Sequence, residues 1–117
     1  MTESEILARL TAQALEEKKA DNVQILDLRS LSAAPAEFFV IASGNVPAHV
    51  GALSDNVGLI VKRATGILPH KVEGYANAEW ILMDYFDVVV HIFQKEKRDF
   101  YRLEQLWADA KELKIEN

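Results

Sequence analysis

Apolar residues recur at helical spacing at the start of the chain. Leu7, Leu10 and Ala14 share one face of a helix predicted over residues 3 to about 20, and Thr2 with Glu5 has capping-box spacing. The pattern then changes period. VQILDL, Val23 to Leu28, is short and branched and predicts a strand. After the loop RSLSAAPAE, FFVIAS (Phe38 to Ser43) is apolar on both faces and predicts an interior strand. Gly44 and Asn45 end it. Asn45 is placed to cap a helix whose Val50, Leu53, Val57, Val61 and Ala64 keep a period of about 3.6 residues, with Gly66 as its stop. One glycine in SGN falls short of a phosphate-binding fingerprint, so a tight strand-to-helix turn is the better reading. ILPHKV, with Pro69, suggests an edge strand or an irregular start, and EGYANAEW a loop. A last helix is predicted from about Lys97 to Leu113, with Phe100, Leu103, Trp107, Ala110 and Leu113 in one stripe.

The densest apolar run is EWILMDYFDVVVHIF, Glu79 to Phe93. Read as a hairpin turning at Tyr85 and Phe86, it sets Asp84 opposite Asp87, Leu82 opposite Val89 and Trp80 opposite His91. Alternation then puts Ile81, Met83, Val88, Val90 and Ile92 on one face, and Trp80, Leu82, Val89, His91 and Phe93 on the other. The aliphatic face suits helices. The mixed face, with carboxylates at its turn end, has the composition of an interface. Three helices in so short a chain cover one sheet face well and leave the other available.

Composition narrows the function classes. The 117 residues are 50% hydrophobic and 26% charged, enough for one α/β domain with a mixed sheet of about five strands and helices mainly on one face. No apolar run is long enough to span a bilayer, and MTESEILARL has no signal-peptide pattern, so a cytoplasmic protein is expected, without a membrane partner. The absence of cysteine excludes disulfides and thiolate chemistry. A net charge of -5 disfavours extensive nucleic-acid contact, and the positive cluster Lys95, Lys97, Arg98 and Arg102 reads as a solvated helix face.

The polar residues of the hairpin admit two readings. His91 among valines suits a partly buried core or interface histidine better than a catalytic base, and Asp84 and Asp87 suit turn roles. Trp80 fits core or partner contact equally. His49, His70 and His91 have no metal-ligand spacing, so no metal or cofactor is expected. The enzymatic alternative is a nucleotidyltransferase-like or phosphohydrolase activity with Asp84, Asp87 and Glu73 around Mg²⁺.

Ser43-Gly44, His49-Val50, Glu73-Gly74, Ala78, Trp80 and the run from Asp84 through DVVVH to His91 resemble, in order and spacing, the ribosomal silencing factor S family, also called Iojap-like. RDFYRLEQLW, Arg98 to Trp107, is similar to that family's end motif, and the resemblance runs from about Leu15 to Trp107. It implies a nucleotidyltransferase-like topology without the catalytic carboxylates, and no enzymatic activity. It further implies binding to the large ribosomal subunit through large-subunit ribosomal protein fourteen, which blocks joining of the small subunit and represses translation when nutrients are scarce. Homodimers are common among free members. Carried onto this chain, the partner-binding residues are Trp80, Leu82, Val89, His91 and Phe93, with Asp84, Asp87, Glu73 and Tyr101 as polar partners or supports. Two positions depart from the pattern. Phe86 stands where the family usually has Gly, and Glu37 where an Asp usually precedes the second strand's aromatic.

Overall fold

The computed structural model describes residues 1–115. Its elements are α1 (Glu3–Glu17), β1 (Asp21–Asp27), β2 (Phe38–Gly44), α2 (Pro47–Thr65), β3 (Lys71–Glu73), β4 (Trp80–Asp84), β5 (Val88–Gln94), α3 (Lys95–Tyr101), α4 (Leu103–Leu106) and β6 (Lys111–Leu113). The strands form one six-stranded sheet in the order β3-β4-β5-β2-β1-β6. Only β2 and β5 pair in parallel, so this is a mixed α/β domain.

The central pair, β2 and β5, is almost entirely buried, as its unbroken apolar runs require. One sheet face carries Ile25, Phe38, Val40, Ala42, Ile81, Met83, Val88, Val90 and Ile92, packed under α1 and α2. Thr2 caps α1 by accepting a hydrogen bond from the Glu5 amide at 3.2 Å. The buried side of α1 is Ser4, Ala8, Thr11, Ala12, Ala14 and Leu15, so Ala14 of the predicted stripe is buried while Leu7 and Leu10 lie half-buried at its flank. Asn56 of α2 donates to the Ala14 carbonyl at 2.7 Å, tying the two helices together. The α2 stripe holds at Val50, Leu53, Val57 and Val61, but Ala64 is exposed.

Three expectations are corrected. The N-cap of α2 is Val46, which makes no side-chain cap bond, with Pro47 at the first turn; Asn45 lies one residue before it and its backbone amide donates to His49 Nδ1 at 3.1 Å. Gly66 does terminate α2, at φ 76°. The single closing helix is broken into α3 and α4 at Arg102, whose φ is 50°, and residues 111–113 become β6 by pairing with β1. The predicted stripe is thereby split: Leu103, Trp107 and Ala110 pack on the second sheet face, Leu113 joins the first core, and Phe100 is 76% exposed.

The hairpin pairs Trp80 with Phe93, Leu82 with His91 and Asp84 with Val89, two residues out of the expected register. The Tyr85 amide bonds to the Val88 carbonyl at 2.9 Å, so the turn is Phe86-Asp87 and not Tyr85-Phe86. An error of two preserves the faces, because side chains alternate with a period of two. The left-handed position of this turn falls on Phe86, φ 70°, where glycine is the strain-free residue. The Asp84 carboxylate supports it by accepting from the Phe86 amide at 2.8 Å.

Candidate docking face

The second face is built from alternate residues of β1, β2, β4 and β5, and its centre is aromatic. Trp80 stacks on Phe93 with centroids 4.9 Å apart and leans against Tyr101 of α3 at 4.7 Å. Its indole Nε1 donates to His91 Nδ1 at 3.1 Å. Phe39 meets His91 edge to face at 4.6 Å and Trp107 at 5.7 Å. Such edge-to-face and offset contacts fix ring positions as well as burying area.

Leu103, Trp107 and Ala110 of the C-terminal segment pack over part of this face. Val89, His91 and Phe93 are buried beneath it and form a floor, while Trp80 and Leu82 are half-buried and Tyr101 is 40% exposed. The accessible part is therefore the β3–β4 side. There Glu73 lies opposite Leu82 and Lys71 opposite Asp84 on the same face, with Asp87 exposed in the turn.

His91 is only 4% exposed, and burial pushes its pKa down to about 4. The imidazole is neutral, and since Nδ1 accepts from Trp80 its proton sits on Nε2, which is buried with no hydrogen-bond partner. A ring occupied at one nitrogen and sealed at the other orients Trp80; it has no opening to a substrate. The acidic residues of the enzymatic alternative do not converge on one point. The Asp84 carboxylate caps the turn, the Glu73 carboxylate pairs with Lys71 at 3.3 Å, and Asp87 accepts from the Glu37 and Phe38 amides through its backbone carbonyl at 2.8 and 3.0 Å. Among the described residues no group of three His, Asp or Glu side chains is arranged to hold a metal.

Several contributors escape a sequence reading. Gly74 sits at φ 82°, where an added Cβ would lie 2.0 Å from the Trp80 carbonyl oxygen, so the glycine lets the loop pass over the start of β4. Arg98, expected on a solvated face, is 4% exposed and makes four hydrogen bonds. No local pattern marks either partner set, because the contacts join residues up to 76 positions apart.

The family model described as "Ribosomal silencing factor during starvation" matches residues 1–117. The chain belongs to the ribosomal silencing factor family. Among its relatives, ribosomal silencing factor RsfS of Halalkalibacterium halodurans is 38% identical over 116 residues, covering 99% of this chain and 97% of the relative. The mitochondrial Iojap-related protein of Arabidopsis thaliana is 32% identical over 98 residues, 80% of this chain and 52% of that protein. A crystal structure of a Chromobacterium violaceum protein superposes with a TM-score of 0.86 at 30% identity, covering 99% of this chain and 94% of the other. The names of the family and of this relative describe silencing of ribosomes and no enzymatic reaction. Among the described residues, no helix is long and apolar enough to cross a membrane.

Proposed function

We propose that this chain represses translation by docking on the large ribosomal subunit through large-subunit ribosomal protein fourteen, sterically preventing the small subunit from joining, above all under nutrient limitation. The full-length match to the silencing-factor family carries the reading. The docking residues are Trp80, Leu82 and Tyr101, held over the floor of Val89, His91 and Phe93 and rimmed by Glu73, Asp84 and Asp87. A rigid aromatic anchor beside an aliphatic one, ringed by polar groups, suits a protein partner. The acidic rim suits a basic ribosomal protein and needs little direct contact with nucleic acid. The protein acts in the cytoplasm, and when free of the ribosome it self-associates as a homodimer.

Cosedimentation with isolated large subunits tests this. The unaltered chain should travel with them and exclude added small subunits, and Leu82→Glu should abolish both effects while leaving the circular dichroism spectrum intact. Unchanged binding by a folded Leu82→Glu protein places the contact elsewhere.

A further inference from the structure

The RDFYRLEQLW segment contains a residue that the docking face depends on without displaying it. Helix α3 has seven residues, follows β5 without a loop and ends at a left-handed Arg102. So short a helix has little stability of its own, and its position is set by what anchors it. The anchor is Arg98. Its Nη1 donates to the Asn22 carbonyl at 2.7 Å and to Ser43 Oγ at 2.9 Å, its Nη2 to Gln24 Oε1 at 2.6 Å, and its Nε to Glu104 Oε1 at 2.6 Å. The socket is assembled from β1, β2 and α4. On its β1 wall the register of β1 against β2 slips between Asp21 and Gln24, and Asn22 adopts φ 52°, which frees its carbonyl from the ladder for the guanidinium. Three residues after Arg98, Tyr101 packs on Trp80 at 4.7 Å.

A buried ion pair is a poor source of stability, because desolvation offsets its attraction; what a fully bonded guanidinium supplies is a single geometry. We infer that Arg98 is the positioning residue of the docking face: locked in its socket, it fixes α3 so that Tyr101 braces Trp80 in the orientation the partner meets. The inference rests on the docking reading for its consequence at the ribosome, but the brace itself is a property of the free protein.

The test uses the full chain in a Trp107→Phe background, which leaves Trp80 as the only tryptophan of the two. Lysine keeps the charge of Arg98 but cannot fork to four acceptors. Arg98→Lys should shift Trp80 emission to the red and make it more accessible to acrylamide, with the far-ultraviolet spectrum retained. Its binding to large subunits should weaken about tenfold, a loss expected when a charge-assisted network is broken. Tyr101→Ala should shift Trp80 emission in the same way and, because it also removes a docking contact, weaken binding at least as much; the double variant should bind no more weakly than Tyr101→Ala alone, because Arg98 acts through Tyr101. If Arg98→Lys fails to fold, Gln24→Ala, which removes one wall of the socket, should give the same red shift in smaller measure. An unmoved Trp80 emission in the folded socket variant, or additive losses in the double variant, overturns the positioning role. Failure of the unaltered chain to bind large subunits overturns the docking reading instead, and the brace is then decided by the Trp80 emission.

Discussion

Phe86 occupies a backbone position that suits glycine. A side chain at φ 70° costs about 1–2 kcal/mol, against about 0.5–1 kcal/mol for the extra entropy glycine loses on folding. The ring recovers part of this through its contact with His70 at 4.4 Å. Phe86→Gly should therefore raise the melting temperature by about 2–4 °C, while Phe86→Ala, which keeps the strain and loses the contact, should lower it. A Gly variant less stable than the Ala variant would show that strain is not what the position carries. His91 makes a second prediction at this scale. Its pKa is lowered by burial to about 4, below the ordinary 6.5, so between those values the unfolded chain binds the proton and the folded one does not. Its contribution is complete above pH 6.5 and is lost as the pH falls towards 4, by up to about 3 kcal/mol. The difference in unfolding free energy between the unaltered chain and His91→Gln should shrink over that window in urea titrations. A constant difference would mean that the buried ring is not held neutral.

At the scale of elements, glycines with similar backbone angles have different jobs. Gly66 ends α2 at φ 76° in open space, so Gly66→Ala should cost only the conformational term, about 1 kcal/mol. Gly74 at φ 82° is pressed against the Trp80 carbonyl, so Gly74→Ala should cost about 3 kcal/mol or more and displace the start of β4. Equal losses in the two variants, measured by chemical denaturation, would argue against the close approach. The sequence makes the first glycine legible, because a helix stop is a local signal. The second is visible only once β3 and β4 are paired. The closing segment departs from a single helix for the same kind of reason: its stripe has a helical period, but the Arg98 socket and the edge of β1 bend the chain into α3, α4 and β6.

For the whole molecule, charge and shape act together. With a net charge of -5 and an acidic rim on the docking side, association with a basic ribosomal surface should be steered electrostatically. Raising the salt from about 0.05 to 0.3 M should slow association about tenfold and leave dissociation nearly unchanged in stopped-flow measurements. A salt-independent association rate would remove steering from the account. The α/β class, β2 as an interior strand, the first two helices and the two faces of the hairpin are legible in the sequence alone, since burial imposes periods of two and 3.6 on neighbouring residues. The sequence also carried the family resemblance, because Trp80, the DVVVH run and the end motif keep their order and spacing. How much of the second face is open is set by long-range packing. Whether Trp80 is core or surface depends on where α3 lies, and α3 is placed by Arg98 contacting Asn22, Gln24 and Ser43, residues at least 55 positions away. Alternation says which side chains share a face; what covers that face is settled by long-range contacts that leave no periodic trace in the chain.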